Sequence, residues 1–220
     1  MKGKMRSNLL IALGAVMILG AAMLTGFNLI SSHKAGQTAS EALAVLQVEI
    51  PKPQNTSAQT PASPGAIAGV QLTMDDFEIP DHVLNPKMDM PVKQVNGINY
   101  IGYIEIPALN LELPIIAEET ASNLKLAPCR YAGSAYQDNL VIAGHNYIQH
   151  FGYLNKLSYG DVIRIVDMDG NVFRYEVADL EVIPADGVAD MLGGDWDLTL
   201  FTCNVSKSAR ITIRCVRTDK

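Results

Sequence analysis

Cysteine is scarce in this chain: 220 residues contain only Cys129, Cys203 and Cys215. Three are too few for a disulfide framework, and no pair has C-x-x-C spacing, which argues against a structural zinc site. Basic residues are also in short supply. The 17 Lys and Arg are outnumbered by 23 Asp and Glu, giving a net charge of −6, so the chain as a whole lacks the basic face of a nucleic-acid binder. There is one Trp and no visible internal repeat. Long apolar runs are limited to a single one, which excludes a multi-span membrane protein. With 48% hydrophobic and 18% charged residues, most of the chain reads as globular rather than disordered.

That single apolar run covers residues 7–32, 26 residues without a formal charge. A spanning helix needs about 20 mainly apolar residues, and residues 8–30 meet that length. A cleaved signal peptide has a shorter apolar region of about 7–15 residues closed by a small-x-small site. Here the run ends in Asn28-Leu29-Ile30-Ser31-Ser32, a poor cleavage site, so an uncleaved signal anchor is the preferred reading. Lys2, Lys4 and Arg6 precede it, which keeps residues 1–7 in the cytoplasm and sends the remainder outside the cell. That remainder carries 14 basic and 23 acidic side chains, a balance of −9.

Residues 31–97 read as an extracellular stalk. Residues 41–48 suit a short helix near the membrane. Residues 51–64 hold four prolines in fourteen positions, which disfavours both helices and sheet ladders and predicts an extended linker. Residues 71–94 are compatible with a strap lying on the following domain or with more linker.

From residue 98 the texture changes. Short β-type runs recur at 98–106, 111–116, 139–143, 161–167, 172–183, 198–202 and 210–216, and Pro114 argues for an edge position of the second. Asp169-Gly170 is the strongest hairpin signal in the chain. Residues 120–126 and 151–157 are candidates for short helices. About eight short strands with few helices predict a small closed or nearly closed β-barrel spanning residues 98–220.

Three reactive side chains stand at strand ends. Cys203 closes the apolar run Leu198-Thr199-Leu200-Phe201-Thr202. His145 follows Leu140-Val141-Ile142-Ala143-Gly144. Arg210 opens the last strand, and a six-residue loop, 204–209, lets it face Cys203 across adjacent strands. Each has an ordinary structural reading when taken singly: a small buried hydrophobe, a turn residue, a surface charge. Together they suit acyl transfer. A thiolate attacks, imidazole moves protons near neutral pH, and a guanidinium stabilises an oxyanion.

Thr199-Leu200-Phe201-Thr202-Cys203 followed by Arg210 resembles the T-L-x-T-C signature of the sortases, with its Arg on the next strand. Ala143-Gly144-His145-Asn146 resembles that family's histidine motif, Phe151-Gly152-Tyr153-Leu154-Asn155-Lys156-Leu157 and Gly160-Asp161 the stretch after it, and Gly102-Tyr103-Ile104-Glu105-Ile106-Pro107 an early strand. The resemblance covers residues 98–217.

The resemblance implies a closed eight-stranded β-barrel with one or two short helices behind a single transmembrane helix. It also implies a membrane-anchored cysteine transpeptidase of mainly Gram-positive bacteria. Such an enzyme cleaves an L-P-x-T-G-like sorting signal on secreted proteins and joins the new C-terminus to an amine, from a peptidoglycan precursor or a pilin lysine. Cys203 is the expected nucleophile, His145 the general acid and base, and Arg210 the oxyanion stabiliser and substrate-orienting group. Arg214 shares the Arg210 face, but the family pattern selects Arg210. Thr202, Asn146 and Trp196 are candidate substrate-binding residues, with core packing favoured for Trp196.

Residues 184–196 fall where the family's substrate-specificity loop lies, and they leave no room for the long helix of its B group. The Asp-Pro-aromatic lid motif of the pilus-assembling group is absent, although Asp75-Asp76-Phe77 keeps an acid beside an aromatic, and no second membrane helix is seen before Lys220. An anchoring enzyme of A-like or D-like type is the expectation. No cofactor or metal is expected; some relatives use Ca²⁺, and the acids here form no recognisable Ca²⁺ loop. Cys129 and Cys215 read as two buried thiols, with a disulfide between them as the alternative. His150 lacks the strand-end Gly-His context. A papain-like protease would place Cys before His, and an L,D-transpeptidase would carry a Ser/Thr-His-Gly-Cys motif; neither is met. The rival from another class is a catalytically silent, surface-tethered binding barrel.

Overall fold

The computed structural model describes residues 2–51, 79–204, 206 and 208–220, with side chains from residue 13 onward. The proline-rich linker expected beyond Pro51 and the Asp75-Asp76-Phe77 segment lie outside the described residues.

One helix, α1 (Lys2–Glu49), occupies most of the N-terminal quarter. It has two halves with different surroundings. The first holds an 18-residue window of mean hydropathy 1.9, none of it buried. Leu19, Met23, Leu24 and Phe27 stand fully out of the protein, as a segment solvated by lipid would. The second half is one-sided. Ser32, Ala35, Ala39, Ala42, Leu43, Leu46 and Ile50 are buried, at the three- and four-residue intervals that form one helix face. Residues 31–50 were expected in the stalk. They instead lie on the barrel beside the first strands.

After a short helix, α2 (Asp81–Leu84), the strands are β1 (Lys93–Val95), β2 (Ile98–Ile106), β3 (Leu111–Ile116), β4 (Cys129–Ala132), β5 (Leu140–Gly144), β6 (Val162–Asp167), β7 (Val172–Pro184), β8 (Leu198–Cys203) and β9 (Ala209–Arg217). A helix of five residues, α3 (Val188–Leu192), interrupts the β7–β8 connection. The sheet runs β2-β3-β4-β5-β8-β9-β7-β6, and β6 pairs back onto β2. The barrel is therefore closed and eight-stranded, and β1 is an extra strand on the outer half of β2. Among the described strands, only the β3–β4 and β5–β8 pairs are parallel. Eight strands leave an interior just wide enough for side chains. Ile104, Leu140, Ile142, Ile163, Ile165, Phe173, Tyr175, Leu200 and Ile213 build the core.

Local chemistry explains most of these elements. β6 is rich in β-branched residues, and Asp169-Gly170 turns it into β7 with Gly170 at φ 84°. Pro114 does not sit on an open edge. β3 lies within the barrel but meets β4 only at Ile116, so a missing N–H there costs little on that side. The two short helices expected near 120–126 and 151–157 are single 3-10 turns, Asn123–Lys125 and Leu154–Lys156. β4 was not apparent in the sequence. It is four residues long and bridges β3 to β5.

β5, β7 and β8 run in one direction and β9 in the other. This defines two ends of the barrel. Gly144, Pro184, Cys203 and Ala209 lie at the thiol end; Leu140, Val172, Leu198 and Arg217 lie at the far end.

Candidate active site

The site is built on the ladder between β8 and β9. Cys203 pairs with Arg210, and Thr199 pairs with Arg214. A bond from the Asn204 N–H to the Ala209 carbonyl (2.9 Å) closes the hairpin. The Asn204 Oδ1 accepts from the Ala209 N–H (3.3 Å) and the Ser206 hydroxyl (3.2 Å), which ties the two strand ends together. Parallel β5 lies on the other side of β8, with Gly144 opposite Thr202. The next residues in that register are His145 and Cys203. Topology thus brings the thiol, imidazole and guanidinium to three adjacent strand ends.

The glycine before His145 has a steric cause. A Cβ on Gly144 would lie 2.3 Å from the Phe151 ring, inside any permitted contact. Phe151 is fully buried, and its N–H bonds the His145 carbonyl (3.2 Å). The chain therefore folds back over Gly144 and holds the 145–151 loop against the barrel. The His145 ring stacks on Tyr147, with centroids 3.9 Å apart and planes 12° from parallel.

Cys203 and Arg210 line an open cleft of about 140 Å³. Its walls include Ala143 and Gly144 from β5, Phe201 from β8, Tyr131 from β4, Pro184 from β7, and Val188 and Met191 from the β7–β8 connection; Glu119 also lines it. Beneath it lies a small cluster of Val141, Ala143, Ile183, Met191 and Phe201, separate from the barrel core. Tyr131 packs edge-on to Phe201 at 5.2 Å.

Exposure separates the three thiols. Cys203 is half-buried at the cleft, whereas Cys129 and Cys215 are buried, and all three are free. Burial pushes the Cys129 thiol up to about 12, with Glu119 adding to the effect, and pushes Cys215 higher still. Neither forms a thiolate at neutral pH. Of the two expectations for that pair, separate buried thiols hold rather than a disulfide.

The structure also separates the two arginines that share one face of β9. Arg214 has a side chain 3% exposed. It pairs with Glu181, and it donates to Thr199 Oγ1 (2.9 Å), the Met191 carbonyl (2.9 Å) and the Asp190 carbonyl. Its donors are committed to the last residues of α3, which it ties to β8 and β9. Arg210 is half-exposed and lines the cleft. Arg214 is thus the residue that sequence reasoning left without a task. The available signal was its position four residues from Arg210, but two of its partners, Asp190 and Met191, lie in a connection that had no predicted structure.

Not every candidate reaches the cleft. Thr202 is buried and, next to Cys203 in a strand, points to the opposite face. Trp196 is half-buried just before β8 begins, about 20 Å of extended chain from Cys203. Asn146 is half-buried beside His145. His150 is buried, and its imidazole is held down to about 4 by desolvation and by His145, partly offset by the Ala35 and Leu126 carbonyls. Among the described residues, no cluster of three or more His, Cys, Asp or Glu is placed to hold a metal ion.

Comparison with known proteins adds the following. A family model described as a sortase domain matches residues 104–218. The chain is 30% identical over 107 residues to sortase D of Bacillus subtilis (strain 168), covering 46% of this chain and 53% of that protein. It is 31% identical over 110 residues to sortase A of Bacillus anthracis, covering 47% and 51%. The chain thus spans about half the length of the curated relatives it matches. Among solved structures, Clostridium perfringens sortase C with the C-terminal cell wall sorting motif aligns with a TM-score of 0.49 and 28% identity, covering 55% of this chain and 71% of that one. A lid mutant of Streptococcus agalactiae sortase C1 aligns with a TM-score of 0.48 and 25% identity, covering 58% and 71%.

Proposed function

The chain belongs to the sortase family, and from that premise we propose that it is a membrane-anchored cysteine transpeptidase acting on sorting signals of secreted proteins. One observation carries the reading. Cys203, the one half-exposed thiol among three, faces Arg210 across the β8–β9 ladder, at the end of the strand that pairs with the one leading into His145.

The proposed chemistry follows from that arrangement. The Cys203 thiolate attacks the Thr–Gly carbonyl of an L-P-x-T-G-like signal. The carbonyl oxygen takes up negative charge, and Arg210 donates to it; a guanidinium stays cationic and presents fixed donors. The C–N bond breaks, His145 gives a proton to the departing amine, and a thioester remains on Cys203. An incoming amine then loses a proton to His145, forms the new amide and releases the thiolate. The apolar cleft wall from Tyr131, Val188, Met191 and Phe201 suits the Leu and Pro side chains of such a signal. The apolar half of α1 supports anchoring in a membrane, with the barrel outside the cell. An A-like or D-like anchoring enzyme, with a cell-wall amine as nucleophile and no cofactor, is the favoured form.

The test is to incubate the full chain in detergent with quenched peptides of the L-P-x-T-G type and related motifs, with and without an amine. Intact-mass spectrometry should detect an acyl adduct on Cys203 and an amide product when amine is present. If no peptide gives an adduct and Cys203→Ala behaves like wild type, the enzyme reading fails and a silent binding barrel replaces it. Comparison of a wall-type amine with a lysine side chain separates anchoring from pilin polymerisation.

A further inference from the structure

The docked half of α1 has a direction. Its membrane-side end lies beside the loop that carries His145: Ser32 hydrogen-bonds Gln149, and a Cβ on Gly36 would lie 2.8 Å from the Gln149 Cγ. The other end lies at the far end of the barrel. Lys93 of β1 pairs with Glu49 (3.2 Å), and a Cβ on Gly170, in the β6–β7 turn, would meet the Pro51 carbonyl oxygen at 2.6 Å. Between Ser32 and Ile50 the helix rises about 27 Å.

The same helix is uninterrupted back into its apolar half. The uncharged run ends at Ser32, and His33 and Lys34 follow, exposed, so the boundary between hydrocarbon and headgroups crosses α1 near residues 31–34. Gln149 touches α1 at that level. Ile148, beside it, is 51% exposed.

We infer that the docked helix turns the thiol end of the barrel toward the bilayer, and that the headgroup surface is the partner of the 146–150 loop. The inference rests on the membrane-anchored reading above. Because the docked face buries Ala39, Leu43 and Leu46 in the main core, the barrel cannot rotate on its anchor without exposing apolar surface to water. The cleft therefore opens close to the membrane, where a substrate still held by an apolar segment, or an amine carried on a lipid, would meet Cys203. The far end, with the β6–β7 turn, faces away.

The experiment uses the full chain in phosphatidylcholine–phosphatidylglycerol vesicles, with Cys203→Ser to leave only buried native thiols. A fluorophore is placed at Ile148→Cys or at Asp169→Cys, and a nitroxide quencher is carried on the lipid headgroups. Flotation with the vesicles tests anchoring by itself; a chain that stays in solution sinks that reading. Given flotation, quenching should be several-fold stronger at position 148 than at 169. Equal quenching, or stronger quenching at 169, overturns the orientation while anchoring stands. The pair Ala39→Glu and Leu46→Glu should undock the helix and erase the contrast without loss of flotation. If the contrast survives in that variant with native strand content, the helix does not set the orientation. If the variant does not fold, the contrast on the intact helix decides.

Discussion

The two ends of the barrel handle polar groups in opposite ways. At the far end the charged ones are satisfied several times over, although the His82 Nδ1 and the Tyr175 hydroxyl are buried there without a hydrogen-bond partner. Asp167 is fully buried, and its two oxygens accept from Tyr136 Oη (2.7 Å), the Asp169 and Asn171 N–H groups (2.9 Å each) and Asn171 Nδ2 (2.8 Å). Arg217 joins Asp138 (3.1 Å) and Asp219 (2.7 Å), and Lys220 joins Asp197 (2.7 Å). The α2 residue His82 closes this end by stacking on Tyr136 at 4.6 Å. At the thiol end, Cys203 and Arg210 are half-exposed around an open cleft. Saturated groups hold a structure together, whereas groups with spare valence and solvent access do chemistry. The strap that precedes β1 therefore braces the far end; its described residues do not reach the cleft.

Substitutions that move one end and not the other sharpen this contrast. The largest effect is expected for Cys203→Ala, which should abolish acyl-adduct formation, read by intact mass, with thermal stability near wild type. Arg210→Lys keeps the charge but loses the planar fork, so kcat should fall about 100-fold with stability unchanged. Near wild-type turnover would move the oxyanion role elsewhere. At the far end, Asp167→Ala should cost about 4 kcal/mol in urea unfolding, because four donors lose a buried acceptor, while the residual folded fraction keeps its rate of Cys203 acylation.

Two further changes test intermediate cases. Arg214→Ala should cost about 2 kcal/mol, because the Thr199 hydroxyl and the Asp190 and Met191 carbonyls lose their donor, while the exposed Glu181 loses little. It should also raise KM more than it lowers kcat, since α3 loses its tie to β8; an equal fall in kcat would make Arg214 part of the reacting site. The last concerns pH. His150 is held at about 4 against an ordinary 6.5, so the unfolded chain takes up a proton first as pH falls. Stability is then unaffected above pH 6.5, drops by up to about 3 kcal/mol between 6.5 and 4, and drops no further from this cause below 4. His150→Gln should flatten that part of the stability–pH curve; an unchanged slope would assign it to other groups.

Most strands were legible because their signal is local. Alternating and β-branched runs, with Asp169-Gly170 between two of them, locate β6 and β7 without any tertiary information. The pairing of Cys203 with Arg210 followed from loop length alone. Other features failed for identifiable reasons. β4 is four residues of mixed character, and only its neighbours make it a strand. Thr202 was drawn to the cleft by motif resemblance, although the two-residue alternation of a strand sends it the other way. The buried face of residues 32–50 begins with Ser32, Ala35 and Ala39 and turns to larger apolar residues only at Leu43, Leu46 and Ile50, so its periodicity carries little hydrophobic contrast, and the exposed Lys34, Gln37, Thr38 and Glu41 made it resemble stalk.

The sequence by itself determined the apolar half of α1, the strand set, and the identity of a thiol, an imidazole and a guanidinium at strand ends. These depend on composition and on intervals of a few residues. Only the tertiary structure decided which of three thiols stays half-exposed, which of two arginines lines the cleft, and which end of the barrel lies against residues 32–36 of α1. Those outcomes depend on what packs against each group from distant parts of the chain: α3 over Arg214, β5 beside Cys203, and residues 32–50 against Gln149.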